Sequence, residues 1–284
     1  MRYSIKSNWS STFESLSKNS VLFTPFIIIA FLECLALELF FFSARTPLVL
    51  LFGPIIKKIF GEQFLHYPGN LVLLPRLFYY GQIVIYILAG AFLTAIAVKI
   101  FVNIRTGHPV ILKAIIKGAG RRYLTFVGYG LIYIALIFIL ERGEGFAFLK
   151  FTRLISRHLF KISPQIYSIG AAKLLFFTFV IVQIFLALTI PIVITEKKAL
   201  FKAILGSISI GMRHFLKVFC LVLVPLLLYL PLIFMKTFLV AIIDKTFPDI
   251  SLYITFLGIV AAIFIDCFVM MSLTQFLLDT KKAK

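Results

Sequence analysis

Three carboxyl groups fall inside long apolar runs of this chain: Glu33 and Glu38 in the run 21–42, and Asp266 in the run 250–273. An ionised carboxylate is costly in hydrocarbon. An acid kept there is a candidate for moving protons, or for a structural hydrogen bond or ion pair between helices. A helical rise of about 1.5 Å per residue places Glu33 about 2 Å from the middle of its run, Glu38 about 10 Å toward one face and Asp266 about 7 Å toward the other. Lys173 and Arg76 lie toward the face of Glu38, and long basic side chains reach inward from an interface. Glu38 is therefore expected to be ion-paired with one of them. Glu33 has no cation at its depth and is expected to be neutral or hydrogen-bonded to another span. The spread in depth argues against one compact three-acid site, and Gln82 and Gln183 add little toward a polar path.

Other chemistry is sparse. His66, His108, His158 and His214 are scattered, and neither an HExxH nor a CxxC spacing occurs, so no metal site is expected. No Gly-rich phosphate loop is present, and no cofactor is implied. Ser207 lies in Gly206-Ser207-Ile208-Ser209-Ile210-Gly211, which lacks the G-x-S-x-G spacing of a serine nucleophile. The expectation there is a helix surface whose small residues allow close packing. Cys34, Cys220 and Cys267 all sit in apolar runs and suggest no disulfide framework.

The elements that must position these residues are set by composition. Of 284 residues 61% are hydrophobic and the mean hydropathy is +1.06, more apolar surface than a soluble fold of this length could hide. A spanning helix needs about 20 apolar residues, and six stretches qualify or nearly do: 21–42, 77–98, 123–140, 171–194, 218–234 and 250–273. Their apolar runs do not alternate as barrel strands would. The expected fold is thus all-α: a single polytopic transmembrane helical bundle over residues 1–284, with about six spans and interfacial amphipathic helices. Pro225 and Pro231 predict a kink in the fifth span. Residues 1–20 are polar, and the run after them is too long for the core of a signal peptide, so it reads as a retained first span.

The net charge of +18 does not point to nucleic acid, because the basic residues sit in short segments between spans, where they meet anionic lipid headgroups. With both termini cytoplasmic, the inner segments hold 17 of the 29 Lys and Arg residues, which favours that orientation in a plasma, bacterial inner, membrane. Residues 47–64, broken by Gly53-Pro54 and Lys57-Lys58, read as interfacial or re-entrant. Over 146–161, Lys150, Arg153, Arg157 and Lys161 form one helical stripe opposite Phe148, Phe151, Ile155 and Leu159. That pattern predicts a helix lying in the interface on anionic lipid; the competing reading is a helix packed on the spans.

Two parts of the chain look alike. Lys113-Ala114-Ile115-Ile116-Lys117-Gly118 returns as Lys202-Ala203-Ile204-Leu205-Gly206-Ser207, and Arg122-Tyr123-Leu124 as His214-Phe215-Leu216 with Arg213 before it. The unit is span, cytoplasmic amphipathic helix, span, in a parallel repeat. With Pro191-Ile192-Val193-Ile194-Thr195-Glu196-Lys197-Lys198-Ala199 in front of the second copy, residues 90–235 resemble the YciC-like integral membrane proteins and the membrane domain attached to some bacterial glycerophosphoryl diester phosphodiesterases. The resemblance makes Glu196 and Ser207 the acidic and serine positions of the motif. It implies a fold more than an activity, and the catalytic domain of the phosphodiesterases has no counterpart here.

These observations favour a non-enzymatic membrane component, either permease-like, lipid-handling or a scaffold for a membrane protein partner. The alternatives are a proton-coupled transporter using Glu33 or Asp266, and a membrane-embedded enzyme acting on lipid.

Overall fold

A computed structural model describes residues 4–158, 180–237 and 249–282, and their side chains except those of 141, 144–158, 236, 237 and 282. Among the described residues the chain is helical, with no strand. Helices α1 (Ile5–Lys18), α2 (Thr24–Phe41), α3 (Val49–Ile59), α4 (Gly69–Ile85), α5 (Ala91–Thr106), α6 (Leu112–Gly120) and α7 (Tyr123–His158) form the first half. After the undescribed 159–179, an apolar helix over Val180–Glu196 turns at Ala187 and Leu188 and ends as α8 (Thr189–Glu196). Then follow α9 (Leu200–Arg213), α10 (Phe215–Leu226), α11 (Leu230–Thr237) and α12 (Ile250–Lys282). Five described helices are long and apolar enough to cross a bilayer: Thr24–Ala44, Gly69–Thr106, Tyr123–Leu140, Phe215–Met235 and Ile250–Lys281; Val180–Glu196 is shorter. The protein is therefore an α-helical bundle of membrane-embedded type, because only helices satisfy their own backbone groups one by one in hydrocarbon.

The second span is longer than its apolar run of 77–98 suggests. Gly69–Thr106 is one helical stretch that absorbs Pro75. A proline inside a helix removes one hydrogen bond. Here the turn around it is held by Leu71, Leu74 and Phe78, which pack with Ala30, Leu37 and Ile259 in a common apolar cluster. The stretch stops at Gly107, whose positive φ of 71° lets its N–H turn back to the carbonyls of Asn103 and Ile104.

Several expectations are revised by the fold. α7 continues unbroken to His158, so Lys150, Arg153 and Arg157 lie on an extension of the third span, not on a separate helix that starts near residue 146. Its 36 residues give a length of about 54 Å. The side chains of Lys150, Arg153 and Arg157, and the whole of Lys161 and Lys173, lie outside the described residues. The proposed interfacial segment 47–64 forms α3 and a short 3-10 turn, with Leu50, Leu51, Ile55 and Ile59 exposed and Gly53 and Ile56 buried. In the fifth span the expected departure at Pro225 takes the form of a 3-10 turn, Leu227–Tyr229, between α10 and α11.

Candidate functional site: an intramembrane cavity

Helices do not pack without gaps where their backbones are irregular, and three apolar helical stretches here are irregular. Between α4 and α5 the chain adopts a π-turn over Tyr86–Gly90, a distortion that recurs at functional sites. The π-turn has support from α7. Tyr123 Oη donates to the Leu88 carbonyl at 2.9 Å, and Gly130 brings the α7 backbone so near that a Cβ there would lie 3.1 Å from Ile87 Cα. In the apolar helix over Val180–Glu196, Pro191 supplies no N–H to the Ala187 carbonyl and crowds it, and the helix opens at Ala187 and Leu188. The carbonyls upstream of the opening find other donors: Ser207 Oγ reaches Phe185 O at 2.6 Å, and Tyr129 Oη reaches Leu186 O at 3.3 Å. The third irregularity is the 3-10 turn of the fifth span.

Beside these places lies a cavity of about 680 Å³, lined by residues of α2, α4, the π-turn, α5, α7, Val180–Glu196, α10, α11 and α12. Most of the wall is aliphatic: Ile29, Ile83, Ile134, Ile137, Ile233 and Ile263 contribute. Against it stand Glu33, Gln82, Thr94, Gln183 and Asp266, with the rings of Tyr79, Tyr86, Tyr129 and Tyr133. Gln82 Nε2 donates to Glu33 Oε1 at 3.1 Å, joining α2 to α4. Gln183 Nε2 donates to Tyr133 Oη at 2.9 Å, joining the fourth span to α7. The Tyr86 and Tyr133 rings are 5.3 Å apart, and the Tyr129 and Tyr133 rings 6.0 Å apart. Asp266 is surrounded by protein yet accessible; the space it faces is this cavity.

Two of the three intramembrane acids are thus brought to one site. Their difference in depth does not separate them, because a cavity of this size spans it. Glu33 has the hydrogen-bonding partner on another span that its depth suggested. Glu38 is not in the cavity; it is exposed near the end of α2. The expected ion pair with Arg76 is not formed, since that guanidinium lies 5.4 Å from the Phe60 ring centroid. Ring stacking near an interface costs the cation less water than a move into hydrocarbon. Gln82 and Gln183, too few on sequence to outline a path, both line the cavity. The tyrosines are the residues that sequence reasoning missed. The signal was present: Tyr129 and Tyr133 are one helical turn apart and share a face.

Glu196 and Ser207 lie elsewhere. Ser207 is fully buried, in line with Ala203 and Gly211 on the buried face of α9. A Cβ on Gly211 would approach Ile184 O to 3.0 Å, so this is a small-residue packing face, as expected. Glu196 ends α8 between two cations, Lys198 at 2.6 Å and Lys281 at 2.9 Å. Lys281 Nζ also donates to Thr195 Oγ1 at 3.0 Å. Burial pushes the Glu196 carboxyl up, but hydrogen bonds from Lys198 and Lys281 outweigh it and hold the group below the usual carboxylate value. Arg122 completes this knot by donating to the carbonyls of Val193, Lys197 and Lys198 at 3.3, 3.0 and 3.5 Å. Among the described residues, no cluster of His, Cys, Asp and Glu could hold a metal ion.

The fold and cavity define a class, an α-helical membrane-embedded protein with a largely apolar cavity, carrying a few polar groups, among its helices. The chain matches no family model, and no match was found among curated proteins or solved structures.

Proposed function

We propose that the chain is a permease-like membrane protein that takes a small amphiphilic molecule into the cavity between its spans. The observation that carries this reading is the clustering of the intramembrane polar groups, Glu33, Gln82, Gln183 and Asp266, on a single cavity of about 680 Å³. Sites for small molecules are of this size, mostly apolar with a few converging polar groups. Intramembrane acids that face such a space are the usual marks of a substrate or proton pathway, and broken helices beside it are common in transporters. A pure scaffold has no need of the cavity. A lipid-cleaving enzyme would need a nucleophile beside a base, and the described lining offers neither serine, cysteine nor histidine.

In this proposal the membrane is a bacterial inner membrane and both termini are cytoplasmic. The Glu196 knot and α9 then face the cytoplasm, and α5–α6–α7 and Val180–Glu196–α9–α10 are two copies of a parallel repeat. Kinship with the YciC-like proteins belongs to the same proposal. Anionic lipid meets the basic segments between spans. Proton coupling is the second reading, favoured by the presence of Glu33 and Asp266 in one space.

The test is native mass spectrometry of the protein released from mild detergent. The wild type is expected to retain a non-covalent small-molecule adduct. Ala262→Trp, which fills the cavity from α12, should remain folded and lose that adduct. Equal retention by both proteins would place the adduct outside the cavity and overturn the proposal.

A further inference from the structure

We infer that α1 is a releasable strap over one end of the cavity, with the surface of the lipid bilayer as its other seat. The inference rests on the cavity being a ligand site for its purpose, since it concerns access to that space. In the docked state α1 lies against α12. Asn8 Nδ2 donates to the Ser272 carbonyl at 3.2 Å. In the turn that follows α1, the Leu22 carbonyl meets Cys267 Sγ at 3.8 Å. These two contacts bracket Val269 and Met270, which line the cavity. From α5, Arg105 clasps α1 through Ser11 Oγ at 2.7 Å and Ser15 Oγ at 3.5 Å.

The docked face is a poor one for a permanent joint. The residues it buries are Asn8, Thr12, Ser15 and Leu16, so most of them are polar. Asn8 Oδ1 and Thr12 Oγ1 on this face, Trp9 Nε1 beside them and Ser272 Oγ on α12 are buried without a hydrogen-bond partner among the described residues. Burying a polar atom unpaired costs free energy that hydration returns on release. The apolar stripe of α1 lies elsewhere. Ile5, Trp9, Phe13 and Leu16 follow at spacings of 4, 4 and 3, the pattern of one helix face. At about 100° per residue this stripe is centred about a quarter turn from Asn8, Thr12 and Ser15. Docking accordingly leaves Phe13 67% exposed. A helix with an aromatic stripe and lysines on its polar side, here Lys6 and Lys18, seats itself at the headgroup level of a bilayer. The short link Ser20–Leu22 to the first span keeps α1 within reach of that surface. Release therefore hydrates the unpartnered atoms and lets Phe13 enter the interface.

The test labels Thr12→Cys and, separately, Met270→Cys with a sulfonated maleimide, on the full chain in nanodiscs of mixed phosphatidylethanolamine and phosphatidylglycerol. Peptide mass mapping reads the introduced thiol apart from the native ones. Thr12 is fully buried in the docked state, so its labelling reports release, and that of Met270→Cys reports access to the cavity. Both rates should follow the population of the released state. Arg105→Ala, which opens the clasp, should raise both about fivefold. Ser272→Ala, which removes an unpartnered hydroxyl, and Phe13→Ser, which weakens the bilayer seat, should each lower both about threefold. Phe13→Ser leaves the docked face intact, so a purely structural α1 predicts no change for it, and it decides the matter if Arg105→Ala fails to fold. No labelling of Thr12→Cys in the folded protein, rates indifferent to Phe13→Ser, or a Met270→Cys rate that ignores the α1 variants would each overturn the inference. These rates need no ligand. If they fail while Ala262→Trp still expels a native adduct, the strap falls and the functional proposal stands; if they respond while no such adduct is seen, the functional proposal falls alone.

Discussion

Glu196 and the pair Glu33–Asp266 are all acids on apolar helices, and the protein treats them in opposite ways. Glu196 closes its helix with Lys198 and Lys281 on its two oxygens. Arg122 spans the same helix end through three carbonyls, where a cation also meets the negative end of the helix dipole. The Glu196 carboxylate is thus matched by two lysines of its own protein. Glu33 and Asp266 face an open volume with tyrosines and glutamines and, among the described lining, no cation. The difference separates an acid neutralised by two lysines of its own protein from two acids that line a cavity, one of which, Glu33, also joins α2 to α4 through Gln82. The Glu196 end joins α8 to α12 and, through Arg122, to the start of α7, while the cavity is lined in part by the π-turn.

The largest effect on stability is expected at Arg122. Arg122→Ala leaves the carbonyls of Val193, Lys197 and Lys198 without their common donor. Hydrogen bonds to a charged group contribute about 1.5–3 kcal/mol, and with the site half-exposed we expect a loss of about 2 kcal/mol. The readout is a melting temperature several degrees lower in detergent. Arg122→Lys should recover only part of it, because an ammonium cannot fork across three acceptors. A wild-type melting temperature for Arg122→Ala, or an equal fall for Asp266→Asn, would erase the contrast between the two regions.

The next effect depends on pH. The Glu196 carboxyl is held below its ordinary value in the folded protein. An acid so lowered stabilises the fold fully above the unfolded value, about 4.3, and that contribution is lost as pH falls through the lower folded value. Glu196→Gln should therefore melt below the wild type at pH 7, and the two curves should converge below about pH 4. A difference that persisted in acid would mean that packing, and not the two lysines, holds this helix end.

Much of the architecture was legible in the sequence, and the reasons differ by feature. Spans read well because hydrocarbon imposes both a length and an all-helical backbone. Their ends read poorly. The apolar run starts only at residue 77, but Leu71, Leu74 and Phe78 pack well enough to carry the helix across Pro75, and no local pattern states that. The acids could be identified one by one. Depth along each helix could not show that Glu33 and Asp266 share a space, because that depends on which helices are neighbours and where they fail to fill the gap. The π-turn at Tyr86–Gly90 had no mark in the sequence, whereas the opening at Ala187 had one in Pro191, which carried no signal of what it would expose. The packing role of Ser207 followed from its small neighbours alone.

The smallest effect is expected at Glu38, and it bears on the rule that an acid in a span needs a partner. Depth suggested a structural ion pair with Lys173 or Arg76, hence a loss of stability on Glu38→Gln. Lys173 lies outside the described residues, and Arg76 is engaged with the Phe60 ring. Arg45, the basic residue nearest in sequence, lies 5.3 and 5.4 Å from the ring centroids of Phe41 and Phe42. Glu38 itself is exposed, in the last turn of α2, and its carbonyl accepts the Phe42 N–H. A negative charge at a helix C-terminus opposes the dipole by about 0.3–1 kcal/mol, and exposed ion pairs recover little. Neutralising it should therefore leave the melting temperature unchanged or raise it by a degree or two. A fall of several degrees would mean that Glu38 is held by a basic residue after all, which would return it to the same kind as Glu196.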